Sequence, residues 1–390
     1  MTRILGGIRV LEAANFVSGP YVGQLLADLG AQVTKIENPR GGDPFRGASG
    51  YGPDFLSYNP HKQSVALDIS KPAGAAIFKR LAATADVVVE NFRPGVMDKL
   101  GLGWAELSSL NPRLVYCAVT GFGQDGPYRH RPAFDSVAGG ISGFLSQFVD
   151  PEQPQIVGPA VSDAITGLYG CYGVLGALLE RERSGRGRRV DVTMVESMIA
   201  FLRQPFASFF VSGKTPSPLE RPSFSSCFAL LCADGKLIAV HISTPEKFWE
   251  ALTAAVERPE LRGDPRFATR RDRIANFRAL TAELAKSFLL KPRGEWMALL
   301  DRLDVPFAPI NDFQEVMGDP QIAHLGTFRT YTHPERGEVP VINPPILFDG
   351  KHEIDGAAPP ALGEHTAAVL RSIGVSEAEM AALRADKIIV

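Results

Sequence analysis

The sequence predicts an α/β protein, with a Rossmann-like, doubly wound parallel sheet in a large domain and a smaller α+β domain beside it. Three observations carry that expectation. Over the first two hundred residues, short runs rich in Val and Ile each precede a helical pattern, the rhythm of βαβ units. Several such units in a row imply a parallel sheet covered on both faces. Near Pro216 the texture changes to the Pro/Ser-rich "KTPSPLERPSFSS", and an Asp-Gly pair between two apolar runs then signals a hairpin.

In chain order, "IRVLEAA" (Ile8 to Ala14) reads as a strand, "GPYVGQLLADLG" as a helix ended by Gly30, and "QVTKIE" as the next strand. "SVALDIS" precedes the helix "KPAGAAIFKRLAATA", with Pro72 near its start, where a missing N–H does no harm. "DVVVENF" leads to a short helix from Gly95, and "RLVYCAVTGFG" is a further strand. Gly158 to Val190 is a long apolar helix pattern with one carboxylate, Asp163, at its opening and none again until Glu180. The domain bounds that follow are 1–200 for the first part of the large domain, 201–224 for a linker and 225–326 for the small domain. Residues 327–390 form a return linker and two short helices, "GEHTAAVLRSIG" and "SEAEMAALRAD".

Composition narrows the function classes. Apolar residues make up 45% and charged residues 22% of the 390, enough to bury a large core. A net charge of −2 gives no reason to expect nucleic acid or an anionic membrane as partner. The start, "MTRILGGIRVLEAANF", has no signal-peptide or transit pattern, so a cytoplasmic location is expected. The apolar stretch from Met198 to Val211 is broken by Arg203, Gln204 and Pro205 and does not read as a membrane span. The four cysteines match no zinc or redox spacing and read as reduced, mostly buried thiols, and the seven histidines show no HExxH-type pairing, so no metal is expected. Neither GxGxxG in the first βα loop nor GxxxxGK[ST] anywhere is present, so no dinucleotide or P-loop site is indicated.

In doubly wound sheets, ligands bind at the carboxyl ends of the strands. The loops there are "NFVSGP", "NPRGGDPFRG", "NFRPG", "TGFGQDGPYRHRPAFD" and the one before Asp163. Ser and Asp are favoured where helices begin, so Asp163 reads first as a cap. A carboxylate at a helix N-terminus is also stabilised in its charged form, by about 0.3 to 1 kcal/mol, and is expected to be ionised at neutral pH.

The motifs "LADLGAQVTKIENPRGGDPFR", "NPHKQSVALDIS", "ADVVVENFRPGVMDKLGL", "NPRLVYCAVTGFGQDGPY", "SDAITG", "RSGRGRRVDVTMVESM" and "LGEHTAAVL" stand in an order that resembles the family III CoA-transferases. These include formyl-CoA and carnitine CoA-transferases and, as a branch, 2-methylacyl-CoA racemases. The resemblance runs from about Gly7 to the end. It implies acyl-CoA and carboxylic acid substrates, with coenzyme A as part of the substrate and no tightly bound cofactor. It also implies a large domain completed by the C-terminal segment and an interlocked homodimer. Asp163 of "SDAITG" takes the place of the transferase nucleophile, which passes through an aspartyl anhydride and an aspartyl-CoA thioester.

For CoA, the same likeness implies contacts at Val17, Ser18, Leu67, Asp68, Ile69, Ser70, Asn91, Phe92 and Lys99, and Arg40, Arg46 and Arg93 are further basic candidates for the phosphates. Two positions depart from the family pattern: "NPHK" has Pro60 in place of an Arg, and Lys99 stands where an Arg is usual. In "AFDSVAGGISG", Phe134 replaces the His of the racemase branch and cannot titrate, which argues against racemisation. Phe134 and Asp135 are also counted among the CoA-binding candidates: Phe134 is expected to cover the thiol arm of CoA or to pack in the core, and Asp135 to hold a polar or structural position.

His241 reads either as a substrate-carboxylate contact or as a structural histidine. "RERSGRGRR" reads as a solvated helix end, and "FLRQPFASFF" as a buried linker or dimer interface. The Gly-rich loop of formyl-CoA transferases has no counterpart in "SSCFALLCADGK", which disfavours oxalate and formyl-CoA as substrates. The rival readings are a 2-methylacyl-CoA racemase and a non-catalytic CoA-ester binding protein.

Overall fold

Six parallel strands run in the order β3-β2-β1-β4-β5-β6. They are β1 (Arg9–Ala13), β2 (Gln32–Glu37), β3 (Lys62–Ala66), β4 (Val87–Glu90), β5 (Val115–Thr120) and β6 (Arg189–Thr193). The computed structural model describes residues 3–243, 245–333, 337–353 and 357–390. Two compact units divide the chain, Met1–Gln204 together with Gly326–Val390, and Pro205–Leu325.

The sheet of the first unit follows from residue type. β4 and β5, "VVVE" and "VYCAVT", are buried along their whole length, as strands covered on both faces are. Alternate residues serve opposite faces. Leu11, Val65, Val88 and Tyr116 pack with Phe78, Leu102 and Leu107 on one side, and Val10, Val33, Val87 and Val115 pack with Val22, Leu26, Val174 and Leu178 on the other. Each fully buried Phe or Leu stabilises by roughly 1.5 to 3 kcal/mol. Helix α1 (Ser18–Asp28) links β1 to β2 and ends before Gly30, whose φ of +91° suits glycine. A helix over Pro72–Ala82 links β3 to β4, and the long helix Val161–Ser184 leads back to β6 through Gly185 in the left-handed conformation.

β6 is an element that the sequence pattern concealed. Its sequence "RVDVT" alternates polar and apolar residues at the end of a basic turn, and among the described residues it pairs with β5 alone. An edge strand tolerates Arg189 and Asp191 because one side of it meets solvent.

The C-terminal helices Thr366–Ser372 and Glu377–Ala385 pack on the face that holds Phe78. Ala66 N–H donates to the Thr366 hydroxyl at 3.1 Å, and Asp68 N–H to the Ile388 carbonyl at 2.8 Å. In the other unit, β7 (Cys227–Leu231), β8 (Leu237–His241) and β9 (Phe307–Pro309) form an antiparallel sheet. Its core holds Trp249, Leu284, Phe288 and Trp296, with the last two rings stacked 4.4 Å apart. β10 (Phe328–His333) and β11 (Gly337–Ile342) form a hairpin in the first unit, in part of the stretch read as a return linker. The stretch read as a linker before the hairpin is partly helical, at Arg203–Ser212 and Glu220–Phe224. All four cysteines are free thiols, three of them buried. Among the described residues, no helix is long and apolar enough to cross a membrane.

Candidate active site

The strand order reverses between β1 and β4, and at such a point the loops leaving the carboxyl ends diverge and open a crevice. A cleft of about 320 Å³ lies there. Asn15, Phe16 and Ser18 from β1, Asn91 to Pro94 from β4, Val119 to Phe122 from β5 and Met194 after β6 line it, together with Arg129, Arg131 to Phe134, and Asp163.

The first two loops are locked to each other. Asn15 N–H donates to Asn91 Oδ1 at 2.9 Å, and Asn91 Nδ2 returns a bond to the Asn15 carbonyl at 2.7 Å. A Cβ built on Gly19 would lie 2.5 Å from Ala14 Cβ and 3.0 Å from Asn91 Cγ, so only glycine lets α1 begin this close to β4. Phe16 is held at φ +66°, a conformation that a bulky side chain rarely adopts. Its ring meets Phe134 edge-on at 5.8 Å and Phe45 at 5.4 Å.

A buried ionic lattice fixes that loop from below. Lys35 Nζ sits 2.9 Å from Glu12 and 3.0 Å from Asp43, and donates to the Ala14 carbonyl at 2.7 Å. Asp43 in turn accepts the Phe16 N–H at 3.3 Å. Burial pulls the Lys35 ammonium down, but the charges of Glu12, Asp43 and Glu37 outweigh it and hold its pKa above the ordinary lysine value. Lys62 completes the lattice 2.8 Å from Glu12. Such pairs are weak sources of stability but fix geometry, because the lattice leaves few ways to place Ala14 and Phe16.

Asp163 lies in the first turn of the long helix. The helix start is capped by another residue, for Asp135 Oδ1 accepts the N–H of Ser162 at 2.6 Å and of Asp163 at 3.1 Å. This corrects the reading of Asp163 as the cap and gives Asp135 the structural role left open for it. It also frees the Asp163 carboxylate for the cleft. Burial first, and then the charge of Asp135, push the Asp163 carboxyl up to about 6, against a hydrogen bond from the Ser18 hydroxyl that lowers it. The helix N-terminus therefore does not dominate, and the group stays mostly ionised at neutral pH by a smaller margin than the sequence implied.

The other candidates divide into three groups. Ser18, Asn91, Phe92, Arg93 and Phe134 line the cleft with Asp163, and Phe134 is 60% exposed there rather than packed in the core. Val17, buried, adjoins it in the first loop. Leu67 and Asp68 are buried beyond β3, followed by half-buried Ile69 and exposed Ser70. Asp68 accepts the Ser70 N–H at 3.1 Å and lies 3.5 Å from exposed Arg40. Lys99 ends a short helix, Val96–Lys99, exposed and outside the cleft lining.

Arg46 is corrected as a phosphate ligand. Its guanidinium is buried, binds both Glu37 oxygens at 2.8 and 2.7 Å, and donates to the Pro360 carbonyl at 3.0 Å. It stacks 3.8 Å over Phe55 and has no face left for a substrate. His241 belongs to the other compact unit, exposed on β8. Sequence reasoning missed Arg129 and Arg131. The signal was the basic run "YRHRP" inside a loop already marked as ligand-facing.

A sheet of this order, with a carboxylate and several arginines at its ligand crevice, defines a Rossmann-like α/β protein with a charged cleft at the carboxyl ends of its strands. The chain belongs to CoA-transferase family III, whose family model matches residues 5–366. It is 34% identical to the succinate–glutarate CoA-transferase of Agrobacterium fabrum and 34% identical to the acetyl-CoA:oxalate CoA-transferase of Acetobacter aceti, each over 96% of both chains. A CAIB/BAIF family protein from Brucella suis shares its fold at a TM-score of 0.85 and 34% identity, over 96% of this chain and 100% of that one. The protein is thus an enzyme that transfers CoA between an acyl-CoA and a carboxylate.

Proposed function

We propose that the transfer runs through covalent chemistry on Asp163. One observation carries this reading: Asp163 is the sole carboxylate among the described residues that line the cleft. Its carboxylate attacks the thioester carbonyl, forming a mixed anhydride and expelling CoA thiolate. The thiolate attacks the Asp163 carbonyl, releasing the donor acid and leaving an aspartyl-CoA thioester. The acceptor carboxylate attacks that thioester to give a second anhydride and thiolate, and attack of the thiolate on the acceptor's acyl carbon restores Asp163. Every step exchanges one acyl bond for another, so neither ATP nor a tightly bound cofactor is needed.

The chain supplies the supporting groups. N–H groups at the start of α1 lie outside the helical ladder beside Ser18 and serve as donors to the developing oxyanion. Phe134 and Phe16 form the apolar wall against the thiol arm. The remainder of CoA extends over the carboxyl ends of β2 and β3, past Leu67 to Ser70 and Arg40. Racemisation would need a titrating partner in the place of Phe134, and no histidine is among the described lining residues. Asp163→Ala should lower transfer at least 1,000-fold, the scale on which a covalent nucleophile acts, while CoA binding by calorimetry persists. Transfer at more than a tenth of the wild-type rate would refute the assignment.

We also infer a homodimer. The long helix exposes Leu168, Tyr172 and Leu179 on one side, and Ile156, Val157, Ile199 and Phe201 of the same unit are exposed as well. Apolar surface on this scale marks a protein interface. Sedimentation should give twice the 42.1 kDa chain mass, and a monomer at micromolar concentration would contradict it.

A further inference from the structure

Arg129 and Arg131 line the cleft that holds Asp163, yet neither forms an ion pair with any described carboxylate. Arg131 is nonetheless held in place. Its guanidinium lies 3.8 Å over the Tyr128 ring, Tyr128 meets Phe122 edge-on at 5.7 Å, and the Arg131 N–H donates to the Tyr128 carbonyl at 2.9 Å. A guanidinium stacked in this way has lost much of its rotamer freedom while its N–H edge stays open to a ligand.

The long pantetheine arm separates the diphosphate from the sulfur. Cations on the walls of a cleft that also contains the reacting carboxylate are therefore placed for the acyl end of the substrate. On an acyl group, the anion that stays charged through every step is a second carboxylate, remote from the carbonyl under attack. Beside Phe16 and Phe134 and near the Asp163 charge, such a group is unfavourable unless cations pair with it. A planar guanidinium meets a carboxylate with paired, charge-assisted hydrogen bonds.

We propose that Arg129 and Arg131 form a subsite for the remote carboxylate of a dicarboxylic acid and of its CoA half-ester, which makes dicarboxylates the substrate class. The inference rests on CoA transfer through Asp163.

The test compares two donors, succinyl-CoA and butyryl-CoA, which share the CoA moiety and the chain length and differ at the terminal carboxylate. In a double-displacement reaction, kcat/KM for the donor reports the first half-reaction alone, with glutarate present as acceptor. Wild type should prefer succinyl-CoA, and Arg131→Gln or Arg129→Gln should reduce that preference roughly 100-fold, the scale of a lost hydrogen bond to a charged group. Arg131→Lys should restore part of it. Both arginines are exposed, so the variants are expected to fold.

An equal loss for both donors would assign the arginines to the phosphates of CoA and overturn the proposal. An unchanged preference, or a wild-type preference for butyryl-CoA, would overturn it and leave Asp163 chemistry standing. Absence of transfer from either donor would overturn dicarboxylates as the substrate class, whereas transfer that proceeds while Asp163 stays unmodified would overturn the mechanism itself.

Discussion

Asp163 and Asp135 are two carboxylates in one neighbourhood with different tasks. Asp135 spends its oxygen on the N–H groups of Ser162 and Asp163, while Asp163 faces the cleft. Burial and the Asp135 charge raise the Asp163 pKa to about 6. Attack requires the ionised form, so kcat/KM should fall as pH drops below about 6. A raised carboxylate stabilises the fold most below the ordinary carboxylate range, and that contribution is lost as pH rises through about 6. Asp135→Asn keeps an acceptor oxygen and removes the charge, so the acid limb of the pH–rate profile should move to lower pH. Asp135→Ala should in addition cost about 0.5 to 2 kcal/mol in urea unfolding, as a lost cap does. An acid limb unmoved in Asp135→Asn would show that its charge does not reach Asp163. The place of Asp163 was legible from its motif. The role of Asp135 was not, because the N–H groups it serves lie 27 and 28 residues away and only the fold joins them.

At the scale of elements, the site depends on how closely the long helix meets α1. A Cβ built on Gly167 would lie 2.8 Å from Tyr21 Cδ1 and 3.2 Å from the Ser18 carbonyl, so this glycine sets the distance between the helix of Asp163 and the loop of Ser18. Gly167→Ala should destabilise by about 1 to 3 kcal/mol through overpacking and lower kcat more than it raises KM for the acyl-CoA. Wild-type kcat and stability in that variant would show that the two helices can part without consequence. The apolar strands β1, β2, β4 and β5 could be read from Val and Ile content, and Gly30 and Pro72 marked helix ends as expected. β6 could not, since its residues alternate in polarity and its strand identity comes from pairing with β5. The buried fate of Arg46 was equally hidden, because Glu37, Gly50 and Pro360 converge on it only in the folded chain.

For the whole molecule, the parallel sheet with its switch between β1 and β4 places the cleft, and the ionic lattice of Glu12, Lys35, Asp43 and Lys62 holds the first loop on that sheet. The α/β class and the family could be read from motif order, which samples the entire chain, whereas the lattice joins charges that look like ordinary surface residues in the sequence. The central claim is that Asp163 carries the acyl group and then CoA. Its most direct test is to incubate the enzyme with succinyl-CoA, quench with borohydride or hydroxylamine, and map the modified peptide by mass spectrometry. Modification confined to Asp163 and dependent on the acyl-CoA is the expected result. Transfer that proceeds while Asp163 remains unmodified would contradict the account.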